Sequence, residues 1–97
     1  MNYSVQNFLG EISLVICEVE KEILERKGGT HGDGSVQQLE FIKTDLEQIR
    51  TQAQTNTLPS RDKRYTAFSR YVVDEWDIGS NLGKKLCDLA DKYKRKI

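Results

Sequence analysis

Residues 3–29 read YSVQNFLGEISLVICEVEKEILERKGG, and this stretch decides the fold class. Its branched and aromatic residues recur three or four positions apart, which is the spacing of one face of an amphipathic α-helix. That apolar face consists of Val5, Phe8, Ile12, Ile16, Val19 and Ile23. Ser4 is placed to cap the helix, and the final glycines are placed to end it. An apolar face of this length predicts that other helices cover it.

A second row of residues, on another side of the same predicted helix, is acidic. Glutamates three or four positions apart on a helix repel each other by about 0.2–0.5 kcal/mol per pair. The row is either an ordinary solvated face or, if it is left uncompensated, a surface for a basic protein. In the second case charge speeds the encounter, and an exposed leucine at the edge of the row slows dissociation. The predicted partner-binding residues are therefore Glu11, Leu14, Glu18, Glu22 and Glu25.

Breaks in the rest of the chain predict three further helices. The glycine-rich segment 28–35 is suited to a flexible connection, and Ser35 with Gln38 forms a capping-box pattern after it. Pro59 and Gly79 mark the next two breaks, each with a serine beside it that can cap a helix. The predicted inward-facing residues are Leu39, Ile42, Leu46, Ile49 and Ala53, then Tyr65, Phe68, Val72 and Trp76, then Leu82, Leu86, Leu89 and Tyr93. No segment shows the period of a strand. We predict an all-α fold, a small antiparallel helical bundle of about four helices, as a single domain over residues 1–97.

The charge of the chain is balanced overall but divided between its halves. Residues 1–50 carry nine acids and five bases, a net charge of −4, and residues 51–97 carry six acids and ten bases, a net charge of +4. Opposite charges of this kind either hold the two halves together or present a field of one sign to a partner. We expect the first effect to dominate.

The cysteines and the N-terminal sequence predict a cytoplasmic protein. Cys17 and Cys87 lie off the apolar faces of their helices, without Cys-X-X-Cys spacing or a nearby histidine, as expected of reduced thiols. The apolar run 12–19 is bounded by Glu11 and interrupted at Glu18, so neither a signal peptide nor a membrane span is expected.

The only histidine lies beside an acid in the glycine-rich segment, as His31-Gly32-Asp33. A catalytic pair needs a rigid support and a positioned nucleophile or water, and a metal ion needs further ligands. We therefore predict no catalytic residue, no metal site, no cofactor and no enzyme activity.

A basic and aromatic segment, residues 61–71, supports an alternative function. It contains Arg61, Lys63, Arg64 and Arg70, interleaved with Tyr65, Phe68 and Tyr71. Such mixtures contact phosphates and stack on bases in proteins that bind single-stranded nucleic acid. However, Tyr65 and Phe68 fall on the predicted core face, and the acids Asp74, Glu75 and Asp77 follow at once. A small nucleic-acid-associated regulatory protein is thus the alternative, and nucleic acid is the less favoured partner.

A homodimer through Phe41, which lies off the apolar face of its helix, is a third possibility.

Residues 70–93 read RYVVDEWDIGSNLGKKLCDLADKY, a segment that resembles the C-terminal part of small helical immunity proteins from bacterial polymorphic-toxin and contact-dependent growth inhibition systems. The residues that carry the resemblance are Val73, Trp76, Leu82, Gly83, Leu86, Leu89 and Tyr93. It implies a non-enzymatic cytoplasmic inhibitor that binds and neutralises a cognate toxin domain, commonly a nuclease, by covering its active site or an essential surface. It identifies no binding residues. The acidic row is compatible with this function, because nuclease active sites are usually basic to hold phosphate.

Overall fold

A computed structural model describes residues 3–32, 34–74, 76 and 79–97, except for the side chains of residues 73 and 74. It confirms the all-α prediction. The helices are α1 (Val5–Lys27), α2 (Val36–Gln54), α3 (Arg70–Asp74) and α4 (Asn81–Arg95). Two 3-10 turns, Arg61–Lys63 and Ala67–Ser69, lie between α2 and α3. The described residues contain no strand.

Serine side chains cap all three long helices, as the sequence predicts. The Ser4 hydroxyl accepts a hydrogen bond from the backbone N–H of Asn7 at 3.2 Å, and Ser35 accepts one from Gln38 at 3.1 Å. In both cases the third residue reaches back to the cap and completes a capping box. Ser80 accepts from the third residue of α4 at 3.0 Å. These bonds satisfy N–H groups that have no partner within the helix and so fix where each helix begins.

Two helices, α2 and α4, pack along α1 and run antiparallel to it. Four ion pairs link them, Lys27 with Glu40 and Glu20 with Lys43 toward α2, and Glu11 with Lys92 and Glu18 with Lys85 toward α4. On each side of α1, the residue number of the ion-pair partner falls as the residue number along α1 rises. This is the order expected for antiparallel helices. The 23 residues of α1 span about 35 Å, close to the 39 Å long axis of the molecule. The antiparallel bundle is therefore organised around α1.

The predicted apolar faces of the long helices form one core. All the inward-facing residues predicted for α2 and α4 are buried, and so are those of α1 except Val5, which is 37% exposed. The remaining buried apolar side chains are Val15, Phe68, Trp76 and Ala90. The second 3-10 turn contacts both α2 and α4, and it brings Phe68, with no exposed surface, into the core.

The segment between α2 and α4 differs from the predicted third helix. Instead of one helix starting near Ser60, the chain makes the two 3-10 turns and then the five-residue α3. Arg64 has an extended backbone between the turns, which breaks the helical register. Tyr65 is consequently 79% exposed, so its predicted place on the core face is wrong, whereas Phe68 and Trp76 are buried as predicted.

The buried cation Arg64 explains why this segment is not a helix. Its guanidinium donates to the carbonyl oxygens of Pro59 at 2.9 Å, Tyr93 at 2.8 Å and Ile97 at 2.9 Å. It also lies 5.2 Å from the centroid of the Tyr93 ring. Carbonyls at the end of a helix lack partners within it and carry partial negative charge, so a cation stabilises them. Arg64 thus anchors the irregular segment to the end of α4.

The connection from α1 to α2 packs against Arg26 and Trp76. The Arg26 side chain is 10% exposed, and its Nε donates to the Gly34 carbonyl oxygen at 3.3 Å. The Trp76 Nε1 donates to Gln38 Oε1 at 3.3 Å. Gly34 has a φ of +81°, and a Cβ on it would come within 2.7 Å of the Trp76 ring. Both the conformation and the close contact therefore require glycine at position 34.

Two glycines of this connection make a matched pair for mutation. Both Gly29→Ala and Gly34→Ala place a side chain at positive φ, but a Cβ at position 29 meets nothing within 4 Å. We expect urea unfolding to show a loss of about 1 kcal/mol for Gly29→Ala and about 3 kcal/mol for Gly34→Ala, because only the latter also displaces Trp76. A shift in Trp76 fluorescence should accompany Gly34→Ala alone. Equal losses with unchanged fluorescence would contradict this account of the contact.

Asp45 on α2 is a partly buried acid next to the core. The N–H of Phe68 donates to its carboxylate, while its Oδ2 is buried without a hydrogen-bond partner among the described residues. Burial raises the pKa of Asp45 above its usual value, and the Phe68 hydrogen bond opposes this only in part. Folding therefore favours the protonated carboxyl.

This pKa shift predicts how Asp45 affects stability across pH. Its stabilising contribution is present below the pKa of the unfolded chain and is lost as pH rises through the raised pKa of the folded state. Asp45→Asn removes that loss. Thermal unfolding at pH 3 and pH 7 should thus show the variant gaining stability relative to the parent at the higher pH. A difference that does not change with pH would show that Asp45 does not titrate abnormally.

Candidate partner-binding surface

The five residues predicted to bind a partner all lie on α1, but the structure divides them between two grooves. Glu11, Leu14 and Glu18 line a groove between α1 and α4. Glu22 and Glu25 line a second groove, next to the connection from α1 to α2. The predicted row is therefore not one continuous site.

The groove between α1 and α4 encloses about 240 Å³ and combines an apolar base with charged edges. Val15 and Leu89 are buried at its base, and Leu14, which is 69% exposed, stands at its α1 edge. The α4 edge carries Lys85, Asp88 and Lys92. A large exposed apolar side chain beside apolar surface, surrounded by charges, is the composition typical of the centre and rim of a protein interface.

Each glutamate at this groove has a cation partner, so this part of the acidic row is compensated within the chain. Lys92 Nζ lies 2.8 and 2.9 Å from the two carboxylate oxygens of Glu11 and 2.9 Å from Asp88. The hydrogen bonds that Lys92 donates to Glu11 and, next in effect, to Asp88 raise the pKa of Lys92. Lys85 pairs with Glu18 in the same way. Glu11 and Glu18 are thus neutralised by α4, as the opposite net charges of the two halves had suggested.

Sequence reasoning missed Lys85, Asp88 and Lys92 as residues of this surface. Lys85 and Lys92 lie 67 and 81 residues from their α1 partners, and Asp88 lies between them on α4, so no local pattern connects these residues with the row. One signal was available. Glu11 and Glu18 are seven residues apart, as are Lys85 and Lys92, which is the match expected of two antiparallel helices packed side by side.

The Glu22 end of the row has a structural role. Glu22 pairs with Arg26 at 2.7 Å, and Glu25 lies 4.0 Å from the same guanidinium. Because Arg26 is largely buried and holds Gly34, a cation at position 22 would repel a group on which the connection depends. Reversing the charge of Glu22 would therefore disturb the fold as well as any interface.

The histidine lies in the second groove and is exposed. Asp33, predicted as its acidic neighbour, is outside the described residues. Among the residues that are described, no group of three or more His, Cys, Asp or Glu side chains is arranged to hold a metal ion.

The basic and aromatic segment 61–71 presents fewer groups than its sequence suggests. Arg64 is 9% exposed and Phe68 is fully buried, so neither can contact a nucleic acid. Tyr71 is partly buried and meets the Phe41 ring edge-on at 6.0 Å. Tyr65 remains as an exposed aromatic platform. Phe41 is 46% exposed, and the homodimer prediction that rests on it stays a prediction.

The two cysteines are free and exposed, on α1 and α4. Partial burial of the Cys87 thiol raises its pKa. None of the helices in the described part of the chain is both long and apolar enough to cross a membrane.

No protein-family model, curated protein or solved structure matches this chain. The residues that carry the resemblance to immunity proteins are core residues in this fold. Trp76, Leu82, Gly83, Leu86, Leu89 and Tyr93 are all buried, and the side chain of Val73 lies outside the described residues. The described residues that carry the resemblance therefore belong to the packing of the core and identify no surface residue.

The two lysines at the groove give a test of its electrostatics. Lys92→Met should cost about 1.5 kcal/mol of unfolding free energy, because Lys92 is 24% exposed and donates hydrogen bonds to two carboxylates. Lys85→Met should cost about 0.5 kcal/mol of unfolding free energy, because Lys85 is 52% exposed and pairs with one carboxylate. Urea titrations at low and high salt measure both losses. If the two variants lose the same free energy of unfolding, the additional hydrogen bonds of Lys92 do not add to stability.

Proposed function

We propose that this chain is a non-enzymatic, cytoplasmic protein-binding module, namely an immunity protein that binds and neutralises a cognate bacterial toxin domain. The observation that carries the proposal is the exposed Leu14 at the edge of the groove between α1 and α4. An apolar anchor of this kind gains free energy when a partner covers it, while charged groups at the rim select the partner.

The charge of α1 itself is negative, although lysines of α2 and α4 pair with several of its glutamates. The helix carries five glutamates, two lysines and one arginine, so its net charge is −2. A toxin nuclease holds phosphate with basic residues, and the glutamates of α1 complement such residues where they share their carboxylates between the chain's own lysines and the partner. The resemblance of residues 70–93 to immunity proteins supports the same class of partner.

The alternative function, nucleic-acid binding, has less support. It depends on the segment 61–71, in which Arg64 and Phe68 are buried and Arg61 donates to the Ile97 carbonyl oxygen at 3.0 Å. A binder of single-stranded nucleic acid needs several aromatic platforms along a basic groove, and this segment offers Tyr65.

The test begins with the tagged protein isolated from its own host and washed at low and then high salt. We expect one stoichiometric protein whose toxicity to growing cells is relieved when the tagged protein is co-expressed. A nucleic acid that elutes as the salt rises would replace the proposal with the alternative. If co-expression relieves no toxicity, the protein is not an immunity protein.

A substitution at Leu14 then tests the surface. Leu14→Asp should weaken binding of the purified toxin domain about 30-fold or more, since an interface anchor is worth about 2 kcal/mol or more. The fold should be unaffected because Leu14 is outside the core. Tyr65→Ser, at another highly exposed position, is the matched control and should leave affinity unchanged. Isothermal titration calorimetry measures both. Loss of binding in the control, or none in Leu14→Asp, would exclude this groove as the interface.

A further inference from the structure

The end of the bundle at which α4 finishes is strongly basic. Arg61 and Arg64 hold the first 3-10 turn at this end, because they donate to the Ile97 carbonyl oxygen at 3.0 and 2.9 Å. Residues 59–65 and 93–97, which meet there, contain six basic residues and one acidic residue, and we call the surface of these two segments the basic end. The basic residues are Arg61, Lys63, Arg64, Lys94, Arg95 and Lys96, and the acidic residue is Asp62.

Unlike the glutamates of α1, the lysines of the basic end are not paired within the chain. Lys63, Lys94 and Lys96 are exposed, and within the described structure their ammonium groups form no ion pair or hydrogen bond. Arg95 differs from them, because it pairs with Asp91 at 3.2 Å. The positive charge of the three lysines is therefore available to a partner without breaking an existing contact.

Stabilisation of the end of α4 accounts for only part of this charge. Cations near the last carbonyl groups of a helix stabilise them. At α4 the buried Arg64 has that role, since it donates to the carbonyl oxygens of Tyr93 and Ile97. The three exposed lysines repel this guanidinium and one another, and solvent and salt screen the repulsion without removing it. An anionic occupant would replace that repulsion with attraction.

Tyr65 adds an aromatic side chain to the basic end. It follows Arg64, whose backbone is extended, and it is 79% exposed. Tyrosine and arginine are enriched at protein interfaces, where a ring forms the anchor and charges form the rim. A single strand of nucleic acid instead gains affinity from several rings along a basic groove. One ring among several cations therefore favours a protein partner whose surface is acidic.

A second copy of this chain is a poor source of such an acidic surface. Most carboxylates of the described helices already pair with a cation of the same chain, among them Glu11, Glu18, Glu20, Glu22 and Glu40. A second copy could offer them to the basic end only by breaking or sharing those pairs. A different protein with unpaired carboxylates gains more free energy there.

We propose that the basic end is the docking surface for an acidic segment of another protein, rich in aspartate or glutamate and carrying an apolar side chain that covers Tyr65. None of the residues of the basic end lines the groove between α1 and α4. The inference therefore goes beyond the proposed function, because it assigns a second binding surface to the chain, of opposite charge to α1.

A synthetic acidic segment serves as the probe. It is a fluorescein-labelled peptide of about 16 residues with eight glutamates and two central leucines, and its matched control has glutamines in place of the glutamates. Fluorescence anisotropy should show saturable one-to-one binding of the acidic peptide. Because the contacts are between exposed charges, we expect binding about tenfold weaker at about 200 mM salt than at about 25 mM. The glutamine peptide should bind about tenfold more weakly than the acidic peptide at the lower salt.

Substitution of the three lysines locates the peptide on the protein. The triple variant Lys63→Gln, Lys94→Gln and Lys96→Gln should bind the acidic peptide about tenfold more weakly and with less dependence on salt, because three ion pairs with the peptide are lost. Its fold should be unaffected, since the three side chains are exposed and unpaired in the described structure.

A matched control removes the same amount of charge elsewhere. Lys21→Gln, Arg70→Gln and Lys84→Gln replace three exposed cations that lie outside the basic end, and together they should weaken binding less than about twofold. Tyr65→Ser should weaken binding about fivefold and leave the salt dependence unchanged, because it removes an apolar contact and no charge.

Five results would overturn the inference: the acidic peptide does not bind saturably, the two peptides bind equally, the two triple variants lose equal affinity, Tyr65→Ser has no effect, or an oligothymidylate with eight phosphates binds the same lysines more tightly than the peptide. The last result would identify a nucleic acid as the occupant. The lysine variant should keep its affinity for the toxin domain. Failure at the basic end would thus leave the proposed function intact, and absence of a neutralised toxin would leave this docking surface intact.

Discussion

Burial of the apolar face of α1 is the constraint on which the rest of the structure depends. The helix is nearly as long as the molecule, and its buried residues run from Phe8 to Ile23. Val15 and Ile16 are both buried and project about 100° apart around the helix, so the face is wide enough to contact two neighbouring helices. The helix α2 covers the face from one side and α4 from the other, both antiparallel. Phe68 and Trp76 complete the core from the irregular segment. Each of these elements has its position because it removes part of that face from water.

Ion pairs along both edges of α1 set the alignment of the helices more than they add to stability. Pairs as exposed as Lys27 with Glu40 contribute little free energy, since solvent and salt screen them. A shift of either neighbouring helix by one turn would nevertheless separate every pair on that edge. The pairs therefore favour one register among several that would bury similar apolar area, which is how charge contributes specificity.

The regular part of the fold could be predicted from the sequence, and the irregular part could not. The three long helices have strong three-and-four periodicity and serine caps, which are local signals that tertiary contacts do not override. The predicted third helix was wrong because Arg64 hydrogen-bonds to carbonyls 29 and 33 residues away, and no local pattern reveals such bonds. The same limit applied to the surface. The opposite net charges of the two halves predict internal pairing in general, but the lysine partners of the α1 glutamates lie on a helix far along the chain, so no local pattern identifies them.

The neutralised glutamates change how a partner would gain affinity from this surface. A basic residue of the partner must compete with Lys85 or Lys92, so forming a new ion pair breaks or shares an existing one. The net electrostatic gain is then small, and charge acts mainly on the rate of encounter and the choice of partner. Affinity would depend instead on covering exposed apolar side chains such as Leu14 and Leu24, which have no such competitor. Because α1 is held along both edges, it can present these leucines without first becoming ordered, and a preorganised surface loses less entropy on binding.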